Sequence, residues 1–310
     1  MGRHRRPGGG AVMASLARAE TRERFAGRAA VVATMHGKER SLALPLGVAL
    51  GVSLRATSDL DTDVLGTFSG EVPRPGSPAE IVVRKARLGL ELEGATLAFA
   101  SEASFGPHPS APFSLVHQEL LACVDLEQGI EVVEPVVTVD TNFASVTVAD
   151  VGALADRPHG RPSFLERAHF PSHALIVMPS VGRRIAPVKG IRDDASLARA
   201  VAAAACASEN HLARVETDMR AHLNPMRRRV IRRLGLRLAR RLLTACPDCS
   251  APGWGAVAVS YGLPCRVCGT PTAQPRALIL RCPRCDAQEE RPREDGLVAA
   301  SPGECPVCNP

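Results

Sequence analysis

The chain has 310 residues, 45% of them hydrophobic and only 3% aromatic, and carries a formal net charge of +6 at pH 7. That length holds a full core and room for two domains, and no apolar run approaches the ~20 residues of a membrane span, so no membrane partner is expected. The basic N-terminus MGRHRRPGGG lacks the apolar stretch of a secretory signal, which points to the cytoplasm, where ten cysteines suggest metal rather than disulfides.

The positive charge hints at an anionic partner, and its make-up is more telling than its size. Of 38 basic residues only three are lysines, Lys38, Lys85 and Lys189. In an Arg-biased chain, each is a candidate point charge for phosphate.

Residues 1–27 read as an N-terminal extension, a basic Gly-rich tail followed by a short amphipathic helix over 11–26. Ala29–Thr34 is an apolar, β-branched run that reads as a buried first strand. Met35-His36-Gly37-Lys38-Glu39-Arg40 follows, then a helix that Pro45 should kink. A strand, a glycine turn and a helix start make an anion site, because free backbone N–H groups point at the turn. Thr34 and His36 would flank the ligand and Lys38 would add charge; the alternative is a solvated turn.

Ser53–Ser58 reads as the second strand. A long polar loop over 59–74 follows, with Asp61, Asp63 and Glu71 as spare carboxylates. Ser77-Pro78-Ala79-Glu80 is a helix start with Ser77 as cap and Pro78 at the first position, and the helix carries Lys85 before ending at Gly94. Glu80 fits a catalytic carboxylate, and equally a plain capping box paired with Arg84. Thr96–Ala100 then reads as a buried strand ending in Ser101–Gly106. That places Glu102 and Ser104 just past its carboxyl end, where α/β sheets bind ligands. His108, in the stiff Pro107-His108-Pro109 turn, would face the same end.

Phe113–Val124 and Ile130–Val139 predict an antiparallel pair across the Leu126–Gly129 turn, with Cys123 in the core. Val146–Ala149 would extend that sheet, 151–172 reads as an irregular excursion, and His173–Met178 as a further buried strand. Lys189-Gly190 opens a loop into an Ala-rich helix, Asp194–Ala207, expected to bury Cys206. Arg220 and His222 precede Asn224, which caps a helix over 225–243 with Pro225 at its first position. Its eight arginines form either a nucleic-acid surface or a solvated face packed on the core through Val230, Ile231, Leu234, Leu238 and Leu242.

From residue 246 the composition changes. Four C-x-x-C knuckles appear, Cys246/Cys249, Cys265/Cys268, Cys282/Cys285 and Cys305/Cys308, separated by 15, 13 and 19 residues. Each presents two thiolates to one metal, so four make two closed, tetrahedral, structural zinc sites. Consecutive, inner-with-outer and cross-braced pairings all remain open. A segment this small and polar folds only with its metals, and Trp254 should pack on the first knuckle.

Two resemblances enter here. The stretches ATMHGKER, LDTDVLGTFSGEV, SEASFGPHP, ETDMRAHLNP and the final CPVCNP resemble an uncharacterised bacterial family. More distantly, the order of features over 30–106, with a weaker echo at 187–234, resembles the inosine/xanthosine triphosphate pyrophosphatases. Thr34 and Lys38 match that family's first strand and phosphate-binding turn. Glu80, Lys85 and Ala86 match its helix, Glu102, Ser104 and Gly106 its acidic strand end, and Arg220 and His222 its base-contacting stretch. The family's Asn in the first turn is absent, and its paired Asp is replaced by Ser101-Glu102. The resemblance implies a three-layer α/β domain around a mixed, twisted sheet over 28–243, ahead of a zinc-knuckle domain over 244–310. It also implies magnesium-dependent release of pyrophosphate from a nucleoside triphosphate, with Glu80 and Glu102 on the metal. Lys38 and Lys85 would sit on phosphate, Glu71 would act as base, and Thr34, His36, Ser104, His108, Lys189, Arg220 and His222 would line the substrate. The alternative is a non-catalytic module of the same fold that binds a nucleotide or other phosphorylated small molecule, a nucleic acid through 225–243, or a protein.

Overall fold

Alternation along one short strand sets the layers of the first sheet. In β1 (Ala29–Ala33), Ala30 and Val32 join one apolar cluster while Val31 and Ala33 join another on the opposite face. The computed structural model describes residues 17–35, 37–58, 76–108, 111–182 and 185–310, and among these the strands form three sheets in a mixed α/β chain. The 59–74 loop, with Asp61, Asp63 and Glu71, and also His36, lie outside the described residues.

A helical stretch over 17–23 (α1) precedes β1. The first sheet has the order β2-β1-β3-β4-β5. β1 runs parallel to β2 (Ser53–Ala56) and β3 (Leu97–His108), while β3, β4 (Ala111–Asp125) and β5 (Ile130–Thr138) are antiparallel. Between β1 and β2, α2 (Glu39–Leu42) continues into π-helical turns over Ala43–Val48, a widening that accommodates Pro45, which has no N–H to give. Leu42 and Leu46 bury against Ala30 and Val32.

The return to β3 is α3 (Pro78–Glu93) on the other face. Its local signals all operate: Ser77 and Glu80 form a reciprocal capping box, Pro78 occupies the first turn, and Gly94 closes the helix at φ 57°. Ile81, Val82, Ala86 and Leu90 are buried, and Val82, Ala86 and Leu90 pack on Val31, Ala98 and Ala122. β3 is longer than the sequence suggests. Ser101–Gly106, expected to lie at and just past the strand's carboxyl end, is strand because β4 pairs along the whole of β3, from Leu97↔Asp125 to His108↔Ala111.

Residues 28–243 carry two sheets rather than one. Val146–Ala149 does not extend the first sheet: β6 (Ser145–Val148) pairs with β9 (Ala213–Thr217) in an antiparallel sheet of order β6-β9-β7-β8, with β7 at Leu175–Pro179 and β8 at Val188–Ile191. Lys189 therefore lies in a strand. This second sheet buries its core against α5 (Asp194–Ala207) and the short α4 (Phe164–Ala168). The buried stripe of α5 is Leu197, Ala200, Val201, Ala204 and Ala205, which leaves Cys206 exposed, contrary to expectation.

α6 (Pro225–Leu242) returns to the first sheet. Asn224 accepts from the Arg227 amide, and Val230, Ile231, Leu234, Leu238 and Leu242 are buried. Gly235 is needed there: a Cβ would lie 2.9 Å from Pro45 Cγ. Beyond α6, β10 (Gly255–Tyr261), β11 (Pro275–Arg281) and β12 (Gln288–Pro292) form an antiparallel meander among the cysteines, and Trp254 packs with Cys246, Ala251, Leu280 and Cys282. No helix among the described residues is long and apolar enough to cross a membrane.

Candidate functional site

From β1 the chain crosses to β2 over one face of the sheet and reaches β3 over the other. The carboxyl end of β1, where its pairing with β3 stops, is thus the point where strand order reverses, and a crevice opens at such points. The β1–β3 pairing stops at Ala33↔Ala100, so β3 runs on without that neighbour. Lys38 occupies the vacated edge. Its Nζ donates to the Ser101 carbonyl at 3.0 Å, as a strand amide would have done. Lys38 is buried, and burial together with the Arg227 guanidinium lowers its pKa from 10.5 to about 8, with Glu119 and Glu102 opposing and Lys85 adding to the shift.

Two buried ion pairs stand beside it, on opposite faces of the sheet. On the α3 face, Lys85 Nζ is 2.6 Å from Glu102 Oε2. On the α6 face, Arg227 grips Glu119 with two hydrogen bonds of 3.0 and 3.1 Å, and His117 Nε2 lies 2.8 Å from the same carboxylate. Burial would raise the Glu119 pKa; Arg227, His117 and Lys38 outweigh it and hold the carboxyl well below the usual range. Phe105 stacks on His117 with centroids 4.4 Å apart, lies 5.7 Å from the Arg227 guanidinium, and touches Phe143 at 5.6 Å. Arg227 also donates to the Met219 carbonyl at 2.7 Å, tying the first sheet to the segment that follows β9.

That segment borders a cleft of about 770 Å³ beside the second sheet, lined by Phe143, Met178, Lys189, Asp218 and Arg220 among others. Buried Asp218 holds Arg220 in a two-pronged pair at 2.7 and 3.0 Å. Four hydroxyl or carboxylate oxygens near the parallel strand ends, Glu39 Oε2, Ser41 Oγ, Thr57 Oγ1 and Ser101 Oγ, are buried without a hydrogen-bond partner among the described residues.

The structure therefore brings together Lys38, Lys85 and Glu102, with Thr34 buried nearby at the end of β1. His222 abuts the same turn, since a Cβ on Gly37 would lie 3.9 Å from His222 Cβ. Lys189 and Arg220 meet in the cleft instead. Ser104 bonds Gln118 at 3.2 Å on the α3 face, and His108 ends β3 at a register shift. Glu80 is not brought to the cluster: its carboxylate is exposed and committed to Ser77. Glu80 and Glu102 thus make no shared metal site, and Glu102 is already neutralised by Lys85. Glu119 and His117 went unmarked in the sequence, and Arg227 reads there only as one of the eight arginines of 225–243. The available signal was a carboxylate and an imidazole alternating inside the apolar strand SLVHQELLACV. The arginines of α6 divide: Arg227, Arg233, Arg237 and Arg241 each pair with an acid of the first-sheet region, whereas Arg229, Arg232 and Arg240 are exposed.

The knuckles resolve into two sets, Cys246, Cys249, Cys282 and Cys285, and Cys265, Cys268, Cys305 and Cys308, which are the groups among the described residues able to hold a metal ion. The pairing is cross-braced, first knuckle with third and second with fourth. Sγ···Sγ distances are 3.7, 3.6, 3.9 and 3.5 Å. A tetrahedron with ~2.3 Å metal–sulfur bonds has edges of about 3.8 Å, so each set fits one ion. Amides of Val267, Arg284 and Val307 donate to Cys265, Cys282 and Cys305, which stabilises thiolates.

No curated protein matches the chain. The family model described as a domain of unknown function (DUF6671) covers residues 85–310, a span that takes in Lys85, Glu102, Glu119, Arg227 and all eight knuckle cysteines; the chain belongs to that family.

Proposed function

We propose that the chain binds a phosphorylated small molecule, a nucleoside triphosphate in the favoured case, at the carboxyl end of β1 beside Ser101 of β3, and hydrolyses it as a pyrophosphatase-like phosphohydrolase. The observation that carries this reading is Lys38, a buried ammonium at the reversal point whose protein ligand is the Ser101 carbonyl. An arriving phosphate offers that ammonium a far better partner than a carbonyl. Lys85, behind the strand, adds charge once Glu102 shares it. The neighbouring cleft, with Phe143, Lys189 and Arg220, has the size and mixed lining of a nucleotide pocket. Phosphoryl transfer asks the protein for positioning and charge neutralisation, which these cations supply, and a divalent cation would supply further neutralisation on the phosphate oxygens. In this reading the first sheet with α3 and α6 is a variant of the inosine triphosphate pyrophosphatase architecture, and the two cysteine sets hold structural zinc.

One observation favours the non-catalytic alternative: Glu102 and Glu119 are both neutralised by buried cations. Titrating the protein with a panel of canonical and deaminated nucleoside triphosphates, reading both binding and pyrophosphate release, separates the two. Binding lost in Lys38→Ala and kept in part by Lys38→Arg supports the site. Binding without release selects the module, and no binding by wild type refutes both.

A further inference from the structure

The turn between β9 and α6 gathers cations that stand outside the Lys38 site. Ala221–Leu223 form a single 3-10 turn there. Arg228, in the first turn of α6, folds back and donates through Nη1 to the His222 carbonyl at 2.9 Å and the Ala221 carbonyl at 3.3 Å. Arg192, just past β8, reaches the Leu223 carbonyl at 3.5 Å. Arg220 enters the turn held by Asp218, and a Cβ on Gly190 of β8 would lie 3.5 Å from its Nη2. His222 lies among the three guanidiniums: burial, and then Arg220, Arg192 and Arg228, lower its pKa, with Asp218 opposing.

Capping of the main chain does not account for these arginines. The Leu223 carbonyl already accepts from the Ala174 amide at 3.3 Å, and the Ala221 carbonyl from the Asn224 amide at 3.4 Å. Among the described residues neither Arg192 nor Arg228 has a carboxylate partner, whereas Arg227, Arg233, Arg237 and Arg241 all have one. The Arg228 pKa is itself lowered, by burial and then by Arg192 and Arg232. Like charges held this close repel one another until an anion joins them. Guanidinium forks and an imidazole N–H are donors suited to phosphate oxygens. The cluster also adjoins the turn that carries Lys38, since His222 Cβ lies 3.9 Å from where a Gly37 Cβ would stand.

We propose that Arg192, His222 and Arg228 form a second phosphate subsite beside the Gly37 turn, which holds the far end of an extended polyphosphate such as that of a nucleoside triphosphate. The inference deepens the ligand reading above and rests on it only for the phosphate that Lys38 takes. It gives His222 a phosphate to bind rather than a base, and adds two arginines to the site.

The probe is inorganic tripolyphosphate, titrated calorimetrically into the full-length, metal-replete protein. Arg192→Gln and Arg228→Gln should each weaken its binding about tenfold or more, and Arg228→Lys less, because the charge stays and the fork is lost. Arg240→Gln, an exposed arginine farther along α6, should leave binding unchanged. Thermal unfolding checks the fold of each variant, and Arg192→Gln, on an exposed side chain, keeps the test open should Arg228→Gln misfold. Folded Arg192→Gln and Arg228→Gln that bind as wild type does overturn the subsite, and so does an equal loss in Arg240→Gln, which would mean diffuse charge. A loss confined to Lys38→Ala overturns the subsite and leaves the Lys38 reading standing. A loss in the arginine variants with Lys38→Ala unaffected upholds the subsite and overturns the Lys38 reading. A single-stranded oligonucleotide that binds more tightly than tripolyphosphate, and weakens in Arg240→Gln, overturns the small-molecule assignment.

Discussion

Replacing Arg227 by Leu removes two hydrogen bonds to Glu119 and one to the Met219 carbonyl, in a site where both charged side chains are at most 2% exposed. Glu119 would be left with His117 as its side-chain hydrogen-bond partner. Breaking a buried pair from one side costs about 3–5 kcal/mol, and the orphaned Met219 carbonyl adds roughly 1 kcal/mol. Against a typical total of about 5–15 kcal/mol, that is a third or more of the stability. Urea unfolding at pH 7 should therefore show Arg227→Leu reduced by about 4–6 kcal/mol. The double variant Glu119→Leu/Arg227→Leu, which leaves no buried charge, should recover most of the loss. The pH dependence has a definite sign. In wild type the Glu119 carboxyl sits below its ordinary 4.5, so its contribution is present above that pH and lost as pH falls through the lower folded value. Without Arg227 the largest of the lowering influences is gone and the folded pKa moves upward, so the deficit of the single variant should narrow as pH falls. A single variant within 1 kcal/mol of wild type, or a double variant no better than the single, would refute this account of the network.

Metal analysis of the purified protein should return two ions per chain, zinc in both sites, and chelation should unfold 244–310 while the first sheet keeps its circular dichroism signal; one ion or none contradicts the two four-cysteine sets. Lys38 titrates near 8, so anion binding measured by calorimetry should weaken as pH rises past about 8, with the midpoint moving upward once the anion is bound. The unliganded protein should gain stability from pH 8 to 10.5, because over that window the unfolded chain alone holds the Lys38 proton, and Lys38→Met should lack the gain. His173 is lowered from 6.5 to about 4, by burial and then by His169, and its Nε2 accepts from the Met226 amide at 3.2 Å. Stability should accordingly fall as pH drops from 6.5 toward 4, and that portion of the slope should be absent in His173→Gln. An unchanged slope would rule out His173 as its source.

What could be read from the sequence was what local chemistry decides. The start of α3 follows from Ser77, Pro78 and Glu80 within one turn, and the start of α6 from Asn224 and Pro225. The eight cysteines announce metal by spacing alone. What escaped depends on which distant segment arrives beside which. The alternation in Val146–Ala149 fits either sheet, and only pairing with Val215 settles it. Ser101–Gly106 reads as the end of a short strand until β4 lies along it. Glu119 looks like a solvent-facing position in a strand until Arg227, from a helix 108 residues later, comes to cover it. Four knuckles of equal local chemistry cannot say which two share an ion. For Lys38 the converse held: a glycine turn after a buried strand is a local signal with a non-local meaning.

The alternating order of the cysteine sets bears on how the chain is made. A ribosome delivers Cys246, Cys249, Cys265 and Cys268 before Cys282 has left the tunnel, and those four thiols have the spacing of a complete single-ion site. An ion captured at that moment joins two knuckles that the finished fold keeps apart, so it must be released or handed over when the third knuckle appears. The first native set closes only with Cys285, and the second waits for Cys308. Metal taken up before the third knuckle emerges is thus a hazard for this chain. A truncated chain that stops after residue 275 should bind one ion in the arrangement that the longer chain has to undo.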